Sequence, residues 1–522
     1  MLAITKSISL VGLTGHLIDV EADIGNGVPC FTLLGLPDAA LSEARDRVRS
    51  AIINSQAQWP NKRITLALSP AALPKRGSSF DCAIALALLA AAEELSLGRL
   101  EGAVALGELT LDGRIKSVPG ILPALRAAAL HGIERALIPS ENYEEGSLVP
   151  GIELIHFGHL RELIAWLRGS EYFPSDRTIA RSHSQSQSQS QSQSGARTEE
   201  RESDGADFSD IAGQEAAKEA LEIGAVGGHH IAMVGPPGVG KSMLAARIPT
   251  ILPSLSEQDA LDVTSLHSIA GKISPDSNSP LITTPPFIAP HHTISRAGLI
   301  GGGSATISPG ACSLAHRGIL FLDEAPEISR QVIEALREPM ELGEITLTRL
   351  GRSATFPAHF TLVLASNPCP CGWAIGKAKR CTCSPLASRR YREKLSGPIL
   401  DRIDLRIELE PLSQGDLMRK GESSADIKSR VDQARARSSQ RFRAYPWSMN
   451  SEIPAAALRS EFAPEPRALT LLYRALDGEE ITVRGLHRIQ RVAWSIADLK
   501  GEPSPTRASI ERALALHLRE RL

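Results

Sequence analysis

The sequence has few aromatic residues, few cysteines and no long apolar run, and each shortage excludes a class of protein. Aromatic residues make up only 4% of the 522 residues, against 42% hydrophobic residues, so the cores must be built mainly from Leu, Ile, Val and Ala. Seven cysteines are too few for a disulfide-rich secreted scaffold. The longest apolar run, 82–92, is far shorter than the roughly 20 residues that a membrane-spanning helix requires.

Charge and targeting signals are also weak. The net charge of −2 gives no overall electrostatic argument for a nucleic-acid or membrane partner, so the local distribution of charge must carry that argument. The first residues lack the charged and apolar regions of a secretory signal. We therefore expect a soluble, cytoplasmic protein without a membrane partner.

Four segments with different patterns follow one another along the chain. Residues 1–170 read as mixed α/β, and Asp112-Gly113 is a hairpin turn signal. Residues 171–205 contain an alternating Ser-Gln tract that predicts a disordered tether, with a Gln-rich interaction tract as the alternative. Residues 206–412 alternate strand and helix patterns, as in a doubly wound α/β sheet. Residues 413–522 are helical by pattern and predict a small lid domain.

A glycine-rich segment follows the apolar run 231–234 and precedes the helical pattern 243–248. It fits G-x-x-x-x-G-K-[ST], in which glycines let backbone N–H groups surround phosphates. Lys241 would neutralise the β- and γ-phosphates, and Ser242 would hold Mg²⁺. A glycine-rich turn beside a lysine is the alternative. The segment is Gly235-Pro236-Pro237-Gly238-Val239-Gly240-Lys241-Ser242.

A second apolar run, 318–322, ends in Asp323 and Glu324, as a buried parallel strand with two carboxylates at its tip. Asp323 would bind Mg²⁺ through water, and Glu324 would polarise the water that attacks the γ-phosphate. Together with the glycine-rich segment, this pair predicts hydrolysis of ATP and not binding alone. The predicted cofactors are ATP and Mg²⁺.

Three further polar residues extend this chemistry. Asn367 ends the buried strand pattern 360–366 and would orient the attacking water, unless it is only a turn residue before Pro368. Arg402 would reach a neighbouring subunit's γ-phosphate, or else form an ion pair with Asp401 or Asp404. Arg484 lies in the first turn of a predicted helix, where a cation is disfavoured. Its position therefore suits an arginine that senses the nucleotide, and a surface arginine is the alternative.

The order of these segments resembles that of AAA+ ATPases of the magnesium-chelatase-like branch, and the chain is more closely similar to the YifB/ComM-type proteins. The resemblance covers nearly the whole chain outside the tether. Its residues are Pro290-His291-His292-Thr293, Gly301-Gly302-Gly303, Ser313-Leu314-Ala315-His316, Asn367-Pro368-Cys369-Pro370-Cys371-Gly372 and 491–499. We interpret His291 and His292 as non-metal loop residues near the pore of a ring.

The resemblance implies a homo-oligomeric ring, usually a hexamer, with each nucleotide between Lys241, Asp323 and Glu324 of one subunit and Arg402 of the next. It also implies a pore hairpin over 344–356 that carries Arg349 and Arg352. Proteins of this type are regarded as helicases that drive branch migration of DNA, so branched or single-stranded DNA is the implied partner.

Four cysteines lie within one short segment, as two C-x-C pairs. They could bind Zn²⁺ with four thiolates, remain reduced thiols in a loop, or form redox pairs. Basic residues surround the pairs and suggest contact with a DNA backbone, with a solvated basic loop as the alternative. The cysteines are Cys369, Cys371, Cys381 and Cys383, and the basic residues are Lys377, Lys379, Arg380, Arg389, Arg390, Arg392 and Lys394.

Residues 72–140 resemble the Lon-type serine/lysine protease domain, which has a ribosomal S5 domain 2-like α/β fold. Ser79 lies near the position of that family's nucleophile, but Leu122 occupies the position of its general-base lysine. Lys116 is at the wrong offset to replace it. A serine without a base is a weak nucleophile, so we expect a Lon-like fold without peptidase activity that binds DNA or a partner, or shapes the ring.

Four functions compete on these residues. A DNA-remodelling ATPase, acting as a helicase or in branch migration, is the leading hypothesis. A chelatase-type motor acting on a protein partner is the main alternative. Leu122 argues against an ATP-dependent protease, and Glu324 argues against a pure nucleotide-binding scaffold.

Overall fold

A computed structural model describes most of the chain. The described residues are 1–35, 43–71, 73, 75, 77–171, 206–274, 279–303, 307–349, 352–374, 380–395, 397–418 and 421–518. All but the first residue of the predicted tether, 171–205, lies outside them. No helix in these ranges combines the length and the apolar character that crossing a bilayer demands.

The first 170 residues form a mixed seven-stranded sheet and a small hairpin. The sheet order is β3-β4-β2-β1-β5-β8-β9, with antiparallel pairs at β4-β2 and β2-β1 and parallel pairs elsewhere. The hairpin joins β6 to β7 through the predicted Asp112-Gly113 turn. The strands are β1 (Leu2–Val11), β2 (Thr14–Gly25), β3 (Cys30–Leu34), β4 (Arg63–Ser69), β5 (Ala103–Ala105), β6 (Glu108–Leu109), β7 (Ile115–Lys116), β8 (Arg135–Pro139) and β9 (Glu153–Phe157).

Helices cover both faces of this sheet, and the second of them is buried on every side. All eleven of its residues are buried, which explains why its sequence is apolar without a helical period. The helices are α1 (Ala44–Asn54), α2 (Asp81–Ala91), α3 (Ile121–Leu130), α4 (Tyr143–Gly146) and α5 (Leu160–Leu167).

Residues 206–412 contain a parallel five-stranded sheet in the order β11-β14-β17-β10-β18. Two short hairpins, β12-β13 and β15-β16, lie outside it. Parallel strands end at one edge, so the polar residues after β10, β14 and β17 meet there. The strands are β10 (Ile231–Val234), β11 (Phe287–Ile288), β12 (Gly301–Gly302), β13 (Ser308–Pro309), β14 (Ile319–Leu322), β15 (Glu344–Arg349), β16 (Arg352–Pro357), β17 (Thr361–Ser366) and β18 (Leu405–Glu408).

The helices around this sheet alternate with its strands and share one apolar core with the helices that follow. That core joins β10 and β18 to two long helices further along the chain, Ser424–Arg441 and Val483–Lys500. The helices of this part are α6 (Glu215–Gly227), α7 (Lys241–Ile251), α8 (Glu257–Ile269), α9 (Arg296–Ile300), α10 (Ala311–Leu314), α11 (Arg330–Glu334), α12 (Arg337–Leu342), α13 (Pro385–Arg392) and α14 (Gly397–Leu400).

Beyond residue 412, the described residues form helices and turns without a strand. Their two longest helices pack on α6 and their last helix packs on β18, so this segment covers one end of the parallel sheet. The helices are α15 (Gln414–Leu417), α16 (Ser424–Arg441), α17 (Pro466–Asp477), α18 (Val483–Lys500) and α19 (Arg507–Leu518).

Candidate functional site

The glycine-rich loop joins the end of β10 to the start of α7, the strand–loop–helix context that its motif requires. Gly238 and Gly240 have φ angles of 76° and 95°, a region that residues with a Cβ rarely adopt. Gly235 lies so close to Leu409 that an added Cβ would be only 2.9 Å from the Cβ of that leucine. The glycines therefore allow a loop whose backbone turns tightly around the N-terminus of α7.

Lys241 is the first residue of α7, and its ammonium group is held inside the loop. Its Nζ donates to the carbonyl oxygens of Gly235 at 2.6 Å and Pro236 at 3.0 Å, and to Oδ1 of Asn367 at 2.9 Å. The side chain is buried, and this burial lowers its pKa below the ordinary 10.5, although Asp323 and Glu324 oppose the shift. The lysine is thus fixed next to two carboxylates and one amide.

Ser242 and Asp323 bring two oxygen groups together from separate elements. Ser242 Oγ donates to Asp323 Oδ2 at 2.7 Å, and the backbone N–H of Glu324 donates to Asp323 Oδ1 at 2.8 Å. Asp323 directly follows β14, so the strand tip carries its carboxylate to the start of α7. Hydroxyl and carboxylate oxygens are the ligands that Mg²⁺ prefers.

Glu324 has the backbone conformation φ 48°, ψ 41°, which is left-handed and uncommon for a residue with a side chain. Such a conformation costs on the order of 1–3 kcal/mol and is found often at functional sites. The carboxylate Oε2 lies 3.3 Å from Nδ1 of His292, whose ring lies 4.1 Å from that of His291. The sequence interpretation of His292 as a pore loop residue did not foresee this contact.

A cavity of about 390 Å³ lies between the loop and the tips of β14 and β17. It brings together the predicted residues of the loop from Pro237 to Ser242 with Asp323, Glu324 and Asn367. Two of its lining residues, Met243 and Ser366, were not among the predicted site residues. Ser366 ends a buried strand in the sequence, so a polar residue at that position was an available signal.

Arg402 does not line this cavity within one chain. Its side chain is buried, its Nη1 donates to Pro398 O at 2.6 Å, and its Nη2 pairs with Glu341. The ion pair that we considered as an alternative, with Asp401 or Asp404, is therefore replaced by one with a residue 61 positions away. Arg484 lies in the first turn of α18, as predicted, and it is exposed.

Asp404 is a buried carboxylate that joins β18 to α18. Its Oδ1 accepts from Arg488 Nη1 at 2.6 Å, and its Oδ2 accepts from the backbone N–H of His230 at 3.0 Å. Burial raises the pKa of Asp404, but Arg488 and the neighbouring His229 outweigh it and hold the pKa well below 3.8. Arg488 also donates to the carbonyl of Arg402 at 2.8 Å, so α18 fixes the backbone at Arg402.

The four clustered cysteines lie directly after Asn367, with their sulfur atoms within 4.8 Å of one another. The Sγ atoms of Cys369 and Cys371 are 3.3 Å apart, and Cys381 Sγ lies 3.8 Å and 3.7 Å from them. Backbone N–H groups of Thr382 and Trp373 bond to the Cys371 sulfur and lower the pKa of its thiol to about 5.

Most basic residues near the cysteines are exposed, but several have partners. Arg389 Nε pairs with Glu393 at 2.7 Å, Lys394 Nζ pairs with Glu327 at 3.1 Å, and Arg380 lies over the ring of Trp373. Lys377 and Lys379 lie outside the described residues, and Arg390 and Arg392 are exposed.

In the hairpin predicted over 344–356, β15 and β16 pair as expected, and Arg349 is exposed with its Nη1 bonded to Gly303 O. Arg352 pairs with Arg349 in backbone register.

The residues that resemble a protease site differ in how deeply they are buried. Leu122 is fully buried in the N-terminal core, Lys116 is exposed on β7, and Ser79 is partly buried. The neighbouring Ser78 donates to Glu108. The position that would hold a general base therefore contributes an apolar core side chain.

Comparisons with known proteins cover the whole chain. The family model described as magnesium chelatase, subunit ChlI, matches residues 207–417, and further models of that subunit match 20–142 and, for its C-terminal part, 421–517. An uncharacterized protein of Mycobacterium tuberculosis is 46% identical over 510 residues, which cover 98% of this chain and 97% of the relative.

Two relatives carry the names of the family. YifB of Escherichia coli is 38% identical over 526 residues, covering 100% of this chain and 98% of YifB. The competence protein ComM of Haemophilus influenzae is 38% identical over 524 residues, covering 100% of this chain and 98% of ComM. Similarity of this extent shows that the chain belongs to the YifB/ComM-type family of magnesium-chelatase-like AAA+ proteins.

Proposed function

We propose that this protein binds ATP with Mg²⁺ in the cavity beside the glycine-rich loop and hydrolyses it to drive the remodelling of DNA. The observation that carries the proposal is the contact between Ser242 Oγ and Asp323 Oδ2 at 2.7 Å, next to the ammonium of Lys241. Two hard oxygen ligands and one cation meet at a helix N-terminus, which is the arrangement that a nucleotide triphosphate with its metal ion requires.

Each side chain at the cavity has a distinct role in the proposed reaction. Ser242 and Asp323 would hold Mg²⁺, which when bound neutralises charge on the β- and γ-phosphate oxygens. Lys241 would exchange its contacts with loop carbonyls for phosphate oxygens, while Asn367, already bonded to it at 2.9 Å, orients the attacking water. This exchange replaces neutral acceptors by charged ones, and charge-assisted hydrogen bonds are roughly twice as strong.

Glu324 would polarise the attacking water as the general base. Its carboxylate projects from the tip of β14 into the same cavity as Lys241. His292 at 3.3 Å would hold that carboxylate in one orientation when the imidazole donates to it. The left-handed backbone at Glu324 is consistent with a side chain aimed by its surroundings and not by local preference.

The site becomes complete only between subunits. Arg402 does not line its own chain's cavity, so a neighbouring copy in a closed ring, of which a hexamer is the proposed form, would provide the guanidinium at the γ-phosphate. Glu341 would release Arg402 on assembly, because its own side chain is half exposed and loses little by returning to water. Arg484, exposed at the start of α18, is the second proposed interfacial arginine.

DNA is the proposed substrate of the motor. Arg349 on the hairpin and the basic end of α13 offer exposed guanidinium groups, which bind phosphate backbones well. The relative from Haemophilus influenzae is named a competence protein, and competence is the state in which cells take up DNA. A cytoplasmic location remains part of this proposal.

The N-terminal segment is proposed to have a Lon-like fold without peptidase activity. Its support is the buried Leu122 at the general-base position. The segment also contacts the ATPase core, since Arg126 Nη1 pairs with Asp262 at 2.9 Å and Gly120 N donates to Ser268 O at 3.2 Å. These contacts favour a role in shaping the ring.

A matched pair of variants tests the DNA proposal. Arg389 and Arg507 are both about three-quarters exposed, and each pairs with a glutamate four residues later. ATPase activity is measured with no DNA, with a fork and with a four-way junction. We expect branched DNA to stimulate the wild type and Arg507→Ala equally, and Arg389→Ala to need more DNA for half-maximal stimulation. The shift should diminish as salt rises, because each lost phosphate contact lowers the salt slope by about one.

Two results contradict the DNA proposal. If none of the DNA structures changes the rate of ATP hydrolysis, DNA is excluded as the substrate. Equal responses of the Arg389→Ala and Arg507→Ala variants would exclude the basic end of α13 as the contact.

A further inference from the structure

We propose that the cysteine cluster binds one zinc ion, and that this ion holds the Asn367 loop against the glycine-rich loop of the ATP site. The ligands are Cys369, Cys371, Cys381 and Cys383. The metal site stands on its own geometry, whereas its effect on nucleotide rests on the ATPase function proposed above.

The distances between the sulfur atoms fit a single tetrahedral ion. Zinc binds thiolate at about 2.3 Å, so two sulfurs that share one tetrahedral zinc lie about 3.8 Å apart. Cys381 Sγ lies 3.8 Å from the sulfur of Cys369 and 3.7 Å from that of Cys371. The remaining close pair is 3.3 Å apart, and all four sulfurs lie within 4.8 Å of one another.

The same distances argue against two other thiol chemistries. A disulfide requires an S–S distance of about 2.05 Å, much shorter than the 3.3 Å between Cys369 and Cys371. In a [4Fe–4S] cluster each cysteine binds a different iron, and in a [2Fe–2S] cluster the four cysteines are divided between two irons, so four cluster ligands cannot all lie as close together as the ligands of a single ion. Four thiolates with tetrahedral spacing therefore favour one zinc ion.

The surroundings of the sulfurs suit a negatively charged metal–thiolate centre. Backbone N–H groups of Thr382 and Trp373 point at the sulfur of Cys371, and such donors stabilise thiolate ligands. Four thiolates around Zn²⁺ leave two negative charges. The exposed guanidinium of Arg380, next in sequence to Cys381, lies 5.3 Å from the ring centre of Trp373, and so stays close to the cluster.

The cluster is attached to the ATP site at two points. Cys369 is completely buried and lies two residues after Asn367, whose amide holds Lys241. Gly372 packs on Pro237 of the glycine-rich loop so closely that an added Cβ would lie 2.5 Å from the Cδ of that proline. An ion that fixes the cysteines therefore fixes both the amide that orients Lys241 and one wall of the nucleotide cavity.

Purified full-length protein tests the metal site without reference to activity. Zinc is measured by elemental analysis, and the reactive thiols of the folded protein are titrated. We expect one zinc per chain in the wild type and in Cys30→Ser, whose changed cysteine is exposed and far from the cluster in sequence. Cys381→Ser should bind zinc at least about tenfold more weakly, in line with the effect of disturbing metal-site residues, and should contain less than one zinc per chain.

Cobalt substitution keeps the proposal testable if Cys381→Ser folds poorly. Wild-type protein is stripped of metal, its fold is checked by circular dichroism, and Co²⁺ is added. We expect the visible absorption of a tetrahedral cobalt–thiolate centre, lost on addition of zinc. Folded protein that holds no metal, that contains a disulfide within the cluster, or that contains acid-labile sulfide would each overturn the proposal.

Nucleotide binding tests the link to the ATP site. Metal-free wild type should bind a fluorescent ATP analogue at least about fivefold more weakly than the zinc-restored protein. This factor corresponds to about 1 kcal/mol of binding free energy, which the metal-free protein would lose in ordering the loop. Equal affinity with and without zinc would leave the metal site standing but refute the link. If zinc is bound while neither form binds ATP, the function proposed above fails and the metal site does not.

Discussion

Replacing Arg488 by methionine should show how much the contact between α18 and the parallel sheet stabilises the protein. The guanidinium is one of the groups that balance the carboxylate of Asp404, which is only 3% exposed, and it also holds the carbonyl of Arg402. Removing one partner of a buried ion pair leaves an uncompensated charge and costs roughly 3–5 kcal/mol. For a domain of this size, that loss lowers the melting temperature by roughly 6–20 °C.

The pH dependence of this effect has a definite sign. In the wild type the pKa of Asp404 is well below 3.8, so the carboxylate stays charged and its stabilising contribution is lost only in strong acid. In Arg488→Met, burial is no longer opposed by the guanidinium, and the pKa of Asp404 rises. The variant can then protonate Asp404 as the pH falls. Its loss of unfolding free energy relative to the wild type should therefore be smaller at about pH 5 than at about pH 8.

Calorimetric melting of wild type, Arg488→Met and Arg484→Met at both pH values measures the effect. Arg484 is the control, because it lies one turn earlier on the same helix and is exposed, so its replacement should change the free energy of unfolding by less than about 0.5 kcal/mol. The double variant Arg488→Met, Asp404→Asn should recover much of the loss. A melting temperature of Arg488→Met within about 2 °C of wild type at both pH values would refute the reasoning.

Two further predictions concern the cavity. Arg402→Ala should lower turnover of assembled protein by about 10³-fold or more while leaving ATP binding to isolated subunits unchanged, as phosphate release and a fluorescent-nucleotide titration would show; normal turnover would refute the role between subunits. Gly372→Ala should weaken ATP binding by about 5- to 150-fold, because the new Cβ would overlap Pro237 and overpacking costs about 1–3 kcal/mol. Gly271→Ala is the control, since that glycine also has a positive φ but faces open space; equal effects of the two changes would mean that backbone strain, and not the contact with Pro237, is responsible.

The arrangement of the proposed ATP site could be predicted because each part of it has a local signal. Apolar runs of four to six residues became β10, β14 and β17, and the polar residues after them met at one edge of a parallel sheet. Sheet topology brings such strand tips together whatever lies between them in sequence. The hairpin predicted over 344–356 formed as well, because its alternation has the period of a strand.

Strands in the N-terminal segment were harder to predict. The sequence over 103–111 has the pattern of a single strand, but in the structure β5 and β6 are separate pieces with different partners. Gly107 lies between them with a φ of 155°, and the chain leaves the main sheet there. Strands β3, β8 and β9 are only five residues long, so their pairing depends on the assembled sheet.

The contacts that complete the site are long-range and leave no local pattern. His292 meets Glu324, Glu341 meets Arg402, and Gly372 meets Pro237, each across a stretch of sequence that carries no periodic signal for the pairing. Spacing rules identify residues on one helix face or one strand tip, but they do not identify which loop closes over a cavity.

Release of inorganic phosphate by wild type and Glu324→Gln, with bound ATP measured in parallel, tests the central claim most directly. The substitution keeps the size of the side chain and removes only its basicity. The account predicts that both proteins bind ATP with similar affinity and that Glu324→Gln turns over about 10²- to 10⁴-fold more slowly, the usual contribution of a general base. Equal turnover by the two proteins, or no phosphate release by assembled wild type with any DNA, would contradict it.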